Sequence, residues 1–425
     1  MNVAVVVQRY GAEINGGAEL HARYIAEHLS RHAKVQVFTT CARDYITWEN
    51  ALPPGEETIN GIPVLRFPVA HPRDPQLFGT LSARVFDETH AIDDEIAWLE
   101  SEGPASAALL RHVARAAAAF DWFLIFSYRY HHAFHSARAV APKAVLVPTA
   151  ERDAAAGLEI FGPVFRGVRG LMYNSLEERA LINAVAANQD VPGTVVGVGS
   201  DVPEHPQAGR FRRKHNVRRP FAIYVGRIDE NKGCREMFAY FERYAATHPR
   251  GLDLVLVGNA VIPVPDHPRI RHLGFLPDQD KYDALAAADM LIMPSFYESL
   301  SMVALEAWAL GKPVMVNGRC DVLKGQVLRS NGGLYYDTAD EFAGGLHMLE
   351  AIGPVNAALG RNGRDYFKRN YAWPVIERKY MDMFERLAKE PARKMEPLPG
   401  WFARRKRTLA PAAERVAALP SGPVR

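Results

Sequence analysis

Cysteine is scarce in this chain, with three residues among 425, at positions 41, 234 and 320. Three isolated cysteines argue against both a disulfide framework and a Cys-rich metal site. The sequence also lacks an apolar run of membrane-spanning length, and its N-terminus lacks the basic and apolar regions of a signal peptide. We therefore expect a cytoplasmic protein that is soluble, or peripheral on the inner face of the plasma membrane.

The chain also has little excess charge, since 51 basic and 48 acidic residues leave a net charge of +3. This balance gives no indication of a nucleic-acid partner for the chain as a whole. The length of 425 residues and the hydrophobic content of 48% suit two domains of ordinary size. Two domains allow a ligand cleft between them.

Short apolar runs alternate with helical segments along the chain. Continuous Val, Ile and Leu runs are typical of parallel strands that are buried on both faces. The predicted strands are Val3–Val7, Val35–Thr39, Val64–Phe67, Trp122–Phe126, Ala144–Pro148, Leu171–Tyr173, Phe221–Val225, Leu252–Val257, Met290–Met293 and Pro313–Val316. A polar, proline-bearing stretch at residues 201–220 divides them into two series. The fold class is therefore α/β, with two doubly wound halves.

Two carboxylates eight positions apart follow one of these strands. Glu298 lies in the loop after Met290–Met293, and Glu306 lies in the helix that this loop enters. The first amides of that helix, at residues 299–301, have no acceptor inside the helix and favour phosphate. Ionised carboxylates accept hydrogen bonds from sugar hydroxyls. The segment predicts a site for a sugar, a diphosphate and a ribose, although a solvated loop acid and a solvated helix face are the structural alternative.

Two further loops follow predicted strands. The first contains Gly16-Gly17, whose backbone can approach a ligand closely, but it has neither a dinucleotide GxGxxG spacing nor an NTPase Lys-Ser/Thr ending. In the second, Arg227 and Lys232 are suited to hold a diphosphate and to stabilise it as a leaving group without a metal ion. A turn eased by glycine and two solvated cations are the alternatives. Ligands of open parallel sheets bind at the carboxyl ends of strands, where all these segments lie.

Taken together, the motifs resemble those of retaining glycosyltransferases of family 4, in order and spacing over roughly the first 390 residues. The matching pieces are Gly16-Gly17-Ala18-Glu19, Gly226-Arg227, Lys232-Gly233, Gly258, Gly274–Pro277, and Glu298 with Glu306. The resemblance implies the GT-B architecture of two facing Rossmann-like domains. It also implies sugar transfer from a nucleotide-diphosphate donor with retention of configuration, without a metal ion or another cofactor.

The same resemblance predicts the domain organisation. We expect an N-terminal acceptor-side domain at residues 1–203 and a C-terminal donor domain at residues 204–370. A helix at residues 371–390 crosses back to the first domain, and a basic, disordered tail at residues 391–425 hangs free of the core.

The resemblance also assigns roles to residues. It places Arg227, Lys232, Glu298 and His131 in catalysis. The residues expected to bind the donor are Gly16, Gly17, Gly226, Gly258, Phe275, Leu276, Ser299, Leu300, Ser301 and Glu306. The candidates on the acceptor side follow two N-terminal strands and are Tyr128, Arg129, His132, Glu151 and Asp153. Structural or solvated histidines, for His131 and His132, and loop-capping carboxylates, for Glu151 and Asp153, are the alternatives.

The tail carries Trp401-Phe402 beside four cations at residues 404–407, a composition suited to anionic lipid headgroups as well as to a solvated basic tail. The expected partners are a nucleotide sugar and a glycan or lipid-linked acceptor, in bacterial surface polysaccharide synthesis. Two alternatives remain open at this point. One is a GT-B epimerase or phosphorylase, and the other is a non-catalytic protein that binds sugar nucleotides.

Overall fold

The computed structural model describes residues 1–14, 16–400 and 412–417, and the described residues form two sheets. The N-terminal sheet has the order β3-β4-β2-β1-β5-β6-β7-β8, and the C-terminal sheet has the order β11-β10-β9-β12-β13-β14. The strands are β1 (Asn2–Val6), β2 (Lys34–Thr40), β3 (Gly55–Ile59), β4 (Ile62–Phe67), β5 (Trp122–Phe126), β6 (Ala144–Val147), β7 (Gly170–Tyr173), β8 (Gly193–Val195), β9 (Phe221–Val225), β10 (Asp253–Val257), β11 (Ile270–His272), β12 (Met290–Met293), β13 (Val314–Asn317) and β14 (Gly333–Tyr336). Only the edge strand β3 pairs antiparallel among these strands.

Helices connect the parallel strands, as the alternating pattern predicts. The N-terminal helices are α1 (Gly17–Leu29), α2 (Pro75–Asp87), α3 (Ile92–Glu102), α4 (Ala107–Ala116), α5 (His131–Ala139), α6 (Gly162–Gly167) and α7 (Leu176–Ala186). The others are α8 (Ala208–Lys214), α9 (Cys234–Thr247), α10 (Asp278–Ala287), α11 (Met302–Ala309), α12 (Asp321–Ser330), α13 (Ala339–Ala351), α14 (Gly353–Asn370), α15 (Trp373–Lys389) and α16 (Ala412–Ala417). Short 3-10 helices lie at Ala141–Lys143, Ala154–Gly157 and Glu159–Phe161.

The central strands are buried on both faces. In β1, Val3 and Val5 pack into one hydrophobic cluster, while Ala4 and Val6 pack into another on the opposite face of the sheet. Because alternate residues of a strand point to opposite faces, a continuous apolar run is what a strand between two helical layers requires. All ten predicted strands are present, with ends that shift by at most two residues.

Helix α15 follows the C-terminal sheet in sequence but packs on the N-terminal one. The Trp122 and Phe384 rings stack with centroids 5.7 Å apart, and His28 stacks on Trp373 at 3.4 Å. The Trp373 indole also donates a hydrogen bond to Asp201 Oδ1 at 2.6 Å. Asp201 belongs to the linker between β8 and α8, at residues 196–207. The two segments that connect the N-terminal and C-terminal halves, this linker and the start of α15, therefore contact each other.

The segment at residues 391–400 differs from the free tail that the sequence predicts. Met395 and Leu398 pack against the apolar cluster of the N-terminal half, and Arg166 pairs with Glu396 at 2.7 Å. Residues 391–400 pack on the N-terminal half because its surface offers them apolar and charged partners. The composition of the segment does not reveal these partners, since they lie elsewhere in the chain. Trp401, Phe402 and the cations at residues 404–407 lie outside the described residues, so the lipid contact stays a prediction.

Two further properties bear on the expectations from composition. The three cysteines are free and buried. Among the residues that the structure describes, no helix has both the length and the apolar character needed to span a bilayer.

Replacing Trp373 with alanine tests whether α15 fastens the two halves together. The substitution removes the His28 stack and the hydrogen bond to Asp201, so we expect the apparent free energy of unfolding to fall by about 2 kcal/mol in urea denaturation. Leu328→Ala is the matched control, because Leu328 is 63% exposed and its truncation should change stability little. Equal midpoints for wild type and Trp373→Ala would show that α15 is not an anchor.

Candidate functional site

A tight approach of two loops brings Lys232 to Glu298. Gly233 has a φ of 70°, and a Cβ atom there would lie 2.1 Å from the carbonyl oxygen of Pro294, so this position requires glycine. The loop after β9 can therefore lie directly against the loop after β12. Lys232 Nζ donates to Glu298 Oε1 at 2.8 Å, with both side chains mostly buried.

A carboxylate from the N-terminal half faces this pair. Burial opposes the charge on Lys232, but Glu298 and then Glu151 outweigh burial and raise the pKa of the ammonium group. Burial raises the pKa of the Glu151 carboxyl, Lys232 opposes this effect, and Glu298 adds to it. The loop after β6 thus supplies Glu151 to a cluster whose other members come from the opposite sheet.

Arg227 is held by a buried carboxylate and an aromatic ring. Asp229 is 6% exposed, accepts from Arg227 Nε and also accepts from the backbone amide of Lys232 at 2.8 Å. The Arg227 guanidinium lies 5.2 Å from the Tyr45 ring centroid and donates to the Tyr45 hydroxyl. Because Tyr45 belongs to the N-terminal half, this contact also spans the cleft.

The first glycine loop lies close to Arg227 through the same tyrosine. Arg9 Nε donates to Glu19 Oε1 at 2.8 Å, and the Arg9 guanidinium lies 5.6 Å from the Tyr45 ring centroid. A Cβ atom on Gly16 would lie 2.1 Å from a Glu19 oxygen, whereas a Cβ atom on Gly17 would meet nothing within 4 Å. A side chain at Gly16 would therefore displace the ion pair from this position, whereas Gly17 borders open space.

The turn from β12 into α11 leaves backbone donors without an acceptor in the part of the chain that the structure describes. Ser301 caps the helix at a φ of 68°, a rare conformation for a residue with a side chain, and its hydroxyl accepts from the Ala304 amide at 3.4 Å. Within the described residues, the amides of Ser299, Leu300 and Ser301 have no protein acceptor. Asn174 Nδ2 donates to Ser299 Oγ across the cleft at 3.3 Å. The donors are thus preformed at the helix N-terminus.

Glu306 lies in α11 as a buried carboxylate with one oxygen in use. Its Oε1 accepts from Lys281 Nζ at 2.9 Å and from the Tyr282 hydroxyl at 3.0 Å, and the residue is 2% exposed. Its Oε2 is buried and has no hydrogen-bond partner among the described residues. A buried acceptor without a donor is costly, so this oxygen is suited to a ligand hydroxyl.

The remaining residues predicted to bind the donor are two glycines at strand ends and two residues of the loop after β11. Gly226 and Gly258 have φ angles of 155° and 132°, and a Cβ atom on Gly258 would lie 2.0 Å from the Gly226 carbonyl oxygen. These two glycines therefore permit the loops after β9 and β10 to touch. Phe275 is 59% exposed and Leu276 is 9% exposed, in the loop that follows β11.

Three of the predicted acceptor-side residues bind one another. The Tyr128 hydroxyl donates to Asp153 Oδ1 at 3.1 Å, and Arg129 bonds Asp153 Oδ2 at 2.7 Å and Glu102 Oε1 at 2.9 Å. This network shapes the end of the N-terminal sheet. It favours the structural interpretation of Tyr128 and Asp153, while their contact with an acceptor stays a prediction.

The two histidines lie in the first turn of α5. His131 is 6% exposed, and its Nε2 lies 3.1 Å from Glu100 Oε2. His132 is fully buried, and burial lowers the pKa of its imidazole to about 3, so the ring is neutral at pH 7. Both rings contact residues of the N-terminal half. The role of His131 in catalysis and that of His132 in acceptor binding stay predictions.

Sequence reasoning did not find three residues of this site, Asp229, Tyr45 and Lys281. Asp229 lies two positions after Arg227, and this spacing was a usable signal, because a carboxylate there can hold the guanidinium. Tyr45 and Lys281 are distant in sequence from the groups they contact, and no local pattern marks them.

Comparison with known proteins shows a likeness to glycosyltransferases. Residues 219–349 match the family model of glycosyl transferases group 1. The chain is 23% identical to an uncharacterized glycosyltransferase of Methanocaldococcus jannaschii, over 91% of this chain and 98% of that protein. It is 27% identical to the O-antigen chain mannosyltransferase B of Escherichia coli, over 31% of this chain and 36% of that protein.

The fold also has solved counterparts. The structure of Anabaena HepE in complex with UDP-glucose aligns with a TM-score of 0.66 at 17% identity, covering 91% of this chain and all of that one. Its GT-B fold is the one expected from the sequence. The GT-B fold and the likeness to glycosyltransferases expected from the motifs are thus confirmed: the chain has the GT-B architecture, and its residues 219–349 match group 1 glycosyl transferases.

Proposed function

We propose that this chain is a retaining glycosyltransferase of the family 4 type, which moves a hexose from a nucleotide-diphosphate sugar to a glycan or lipid-linked acceptor. The observation that carries the proposal is the convergence of Arg227, Lys232 and Glu298 at one point of the cleft. Two of these side chains contact, or are electrostatically coupled to, groups of the N-terminal half, Tyr45 and Glu151. Cations with a carboxylate and free amides suit an anion that carries hydroxyl groups.

In the proposed complex, Arg227 and Lys232 hold the diphosphate. Each cation has an acceptor within the protein here, Asp229 for Arg227 and Glu298 for Lys232, so both are oriented before a ligand arrives. Preorganised cations stabilise the charge that develops on a leaving diphosphate at little further cost in ordering. Glu298 then accepts from a hydroxyl of the transferred sugar.

The free oxygen of Glu306 supports a ribose site. Oε2 is the only oxygen of this carboxylate that lacks a donor in the described part of the chain, while Lys281 and Tyr282 hold the other. A vicinal diol supplies the missing donor. HepE of Anabaena, whose fold is shared, has been crystallised with UDP-glucose, which contains both a ribose and a diphosphate.

The proposed reaction breaks the bond between the anomeric carbon and the phosphate oxygen and forms a bond from that carbon to the acceptor oxygen, on the same face. The acceptor proton passes to the leaving phosphate oxygen. The residues named above therefore bind and orient the groups, and the proposal assigns no metal ion or further cofactor to the transfer. The partial likeness to an O-antigen mannosyltransferase supports a role in bacterial surface polysaccharide synthesis on the cytoplasmic side.

A donor screen followed by product analysis tests the proposal. Calorimetry with uridine and guanosine sugar nucleotides should find one preferred donor, and NMR of the product should show the anomeric configuration of that donor. The rate should persist in EDTA. Inversion of configuration would contradict the retaining mechanism. Conversion of the sugar nucleotide without an acceptor would indicate an epimerase, and binding without turnover for any acceptor would indicate a non-catalytic protein.

Arg227→Ala tests the diphosphate site. Losing a guanidinium beside the leaving group should lower kcat/KM by about 100-fold or more in a steady-state assay with the preferred donor. Arg235→Ala is the matched control, because Arg235 is an exposed cation nearby that pairs with Glu230 at 2.6 Å. Its kcat/KM should stay within about twofold of wild type, as for a surface salt bridge. Equal losses in both variants would contradict a specific role for Arg227.

Glu306→Gln tests the ribose site with little change in volume. The glutamine oxygen can still accept from Lys281 and Tyr282, but its amide cannot accept at the position of the free oxygen. We expect the KM for the donor to rise by about tenfold or more. Glu350→Gln is the control, since Glu350 also accepts from a tyrosine, Tyr244, at 3.0 Å. A loss of stability in Glu306→Gln without a change in KM would mark a structural acid.

A further inference from the structure

Two histidines and one carboxylate form a cluster where α3 contacts α5 in the N-terminal half. His131 and His135 are four residues apart on α5, so their rings lie on the same face of the helix. Glu100 of α3 reaches both rings. His131 Nε2 lies 3.1 Å from Glu100 Oε2, and His135 Nε2 lies 3.4 Å from Glu100 Oε1.

The arrangement has the composition of a metal site. Each of the three residues offers one ligand atom, and these atoms all lie within 4.8 Å of one another. No other group of three His, Cys, Asp or Glu residues in the described part of the chain meets this condition. The ring centroids of His131 and His135 are 4.4 Å apart. Ligands of a tetrahedral zinc ion lie about 3.3 Å apart, so small side-chain rotations are enough to close the site.

Burial and access also suit an ion. The His131 side chain is 7% exposed, whereas those of His135 and Glu100 are 35% and 50% exposed, so the cluster lies close to the surface and Glu100 offers the most open approach. The Nε2 atom of His135 is shielded from solvent and, at 3.4 Å from Glu100, makes no hydrogen bond. A contact of this length satisfies a buried ring nitrogen poorly, and coordination to an ion would satisfy it.

We propose that Glu100, His131 and His135 bind one divalent transition-metal ion of the zinc type, with water at the fourth position. Two imidazoles and one carboxylate are ligands that zinc accepts in proteins, and a set of three leaves one position open. The site shares no residue with the Lys232–Glu298 pair or with Glu306.

The position of the site indicates a structural role. Glu102, at the end of α3, already pairs with Arg129, just before α5, at 2.9 Å. An ion held by Glu100, His131 and His135 would add a second link between the same two helices. It would therefore hold the loop after β5, which carries Tyr128 and Arg129, at the cleft edge of the N-terminal sheet. His131 would then stabilise this edge rather than touch a substrate.

Zinc titration of the full chain tests the proposal without using turnover. The protein should be free of any affinity tag and stripped with a chelator before calorimetry with zinc chloride. We expect one ion per chain and a higher thermal midpoint with zinc than in EDTA. Cobalt(II) should bind with the same stoichiometry and give the visible absorption bands of a low-coordinate site.

Matched variants separate this site from adventitious binding. His135→Gln and Glu100→Gln each remove one partly exposed ligand, so both should fold and should weaken zinc binding by about tenfold or more. His347→Gln is the control, because His347 lies 5.0 Å from the His248 ring in a histidine pair of the C-terminal half that belongs to no such three-ligand group. Its zinc affinity should equal that of wild type.

Two results would overturn the proposal. One is wild-type protein that takes up less than one zinc ion per chain. The other is zinc binding of unchanged affinity in His135→Gln when its unfolding midpoint in EDTA equals that of wild type, which shows that the variant is folded. Because neither measurement uses a sugar nucleotide, failure here leaves the proposed transfer reaction untouched.

Discussion

The charge of Lys232 is the constraint on which the cleft depends. A mostly buried ammonium group is costly unless carboxylates compensate it, and here Glu298 compensates it from the neighbouring loop and Glu151 from the opposite sheet. Neither half of the chain supplies all three of these charged groups. In this arrangement the two sheets face each other across the cleft, and carboxylates from both halves balance the charge of Lys232.

Other polar contacts also join the two halves across the cleft. Tyr45 bonds Arg227, Asn174 bonds Ser299, and Arg152 pairs with Asp321 at 3.2 Å. These polar contacts are few and partly exposed, so each contributes little by itself. Helix α15 supplies an apolar anchor through Trp373 and Phe384. A firm apolar anchor combined with weak polar contacts is what a hinge between two domains requires.

In the N-terminal half, the histidine pair after β5 has surroundings that differ from those of an acceptor site. A histidine pair after a strand resembles the acceptor side of a transferase, yet His131 contacts Glu100 of α3 and His132 is buried as a neutral ring. Tyr128, Arg129 and Asp153 are likewise occupied with one another. Glu151, another acceptor-side candidate, is electrostatically coupled to Lys232 and Glu298. The acceptor-side candidates were harder to choose from the sequence, because no shared phosphate chemistry fixes their residue types.

The sequence by itself determined the class of fold and the ten buried strands, and it marked Arg227, Lys232, Glu298 and Glu306 as candidates for a donor site. It could do so because buried strands need continuous apolar runs, and because phosphate and sugar need cations, carboxylates and free amides at strand ends. The four strands it missed, β3, β8, β11 and β14, are the edges of the two sheets, where one side of each strand has no neighbour and apolar residues are fewer. Only the tertiary structure decided that Tyr45, Lys281 and Glu100 meet their partners, and that residues 391–400 lie on the core. Such contacts join positions far apart in the chain, so no local pattern encodes them.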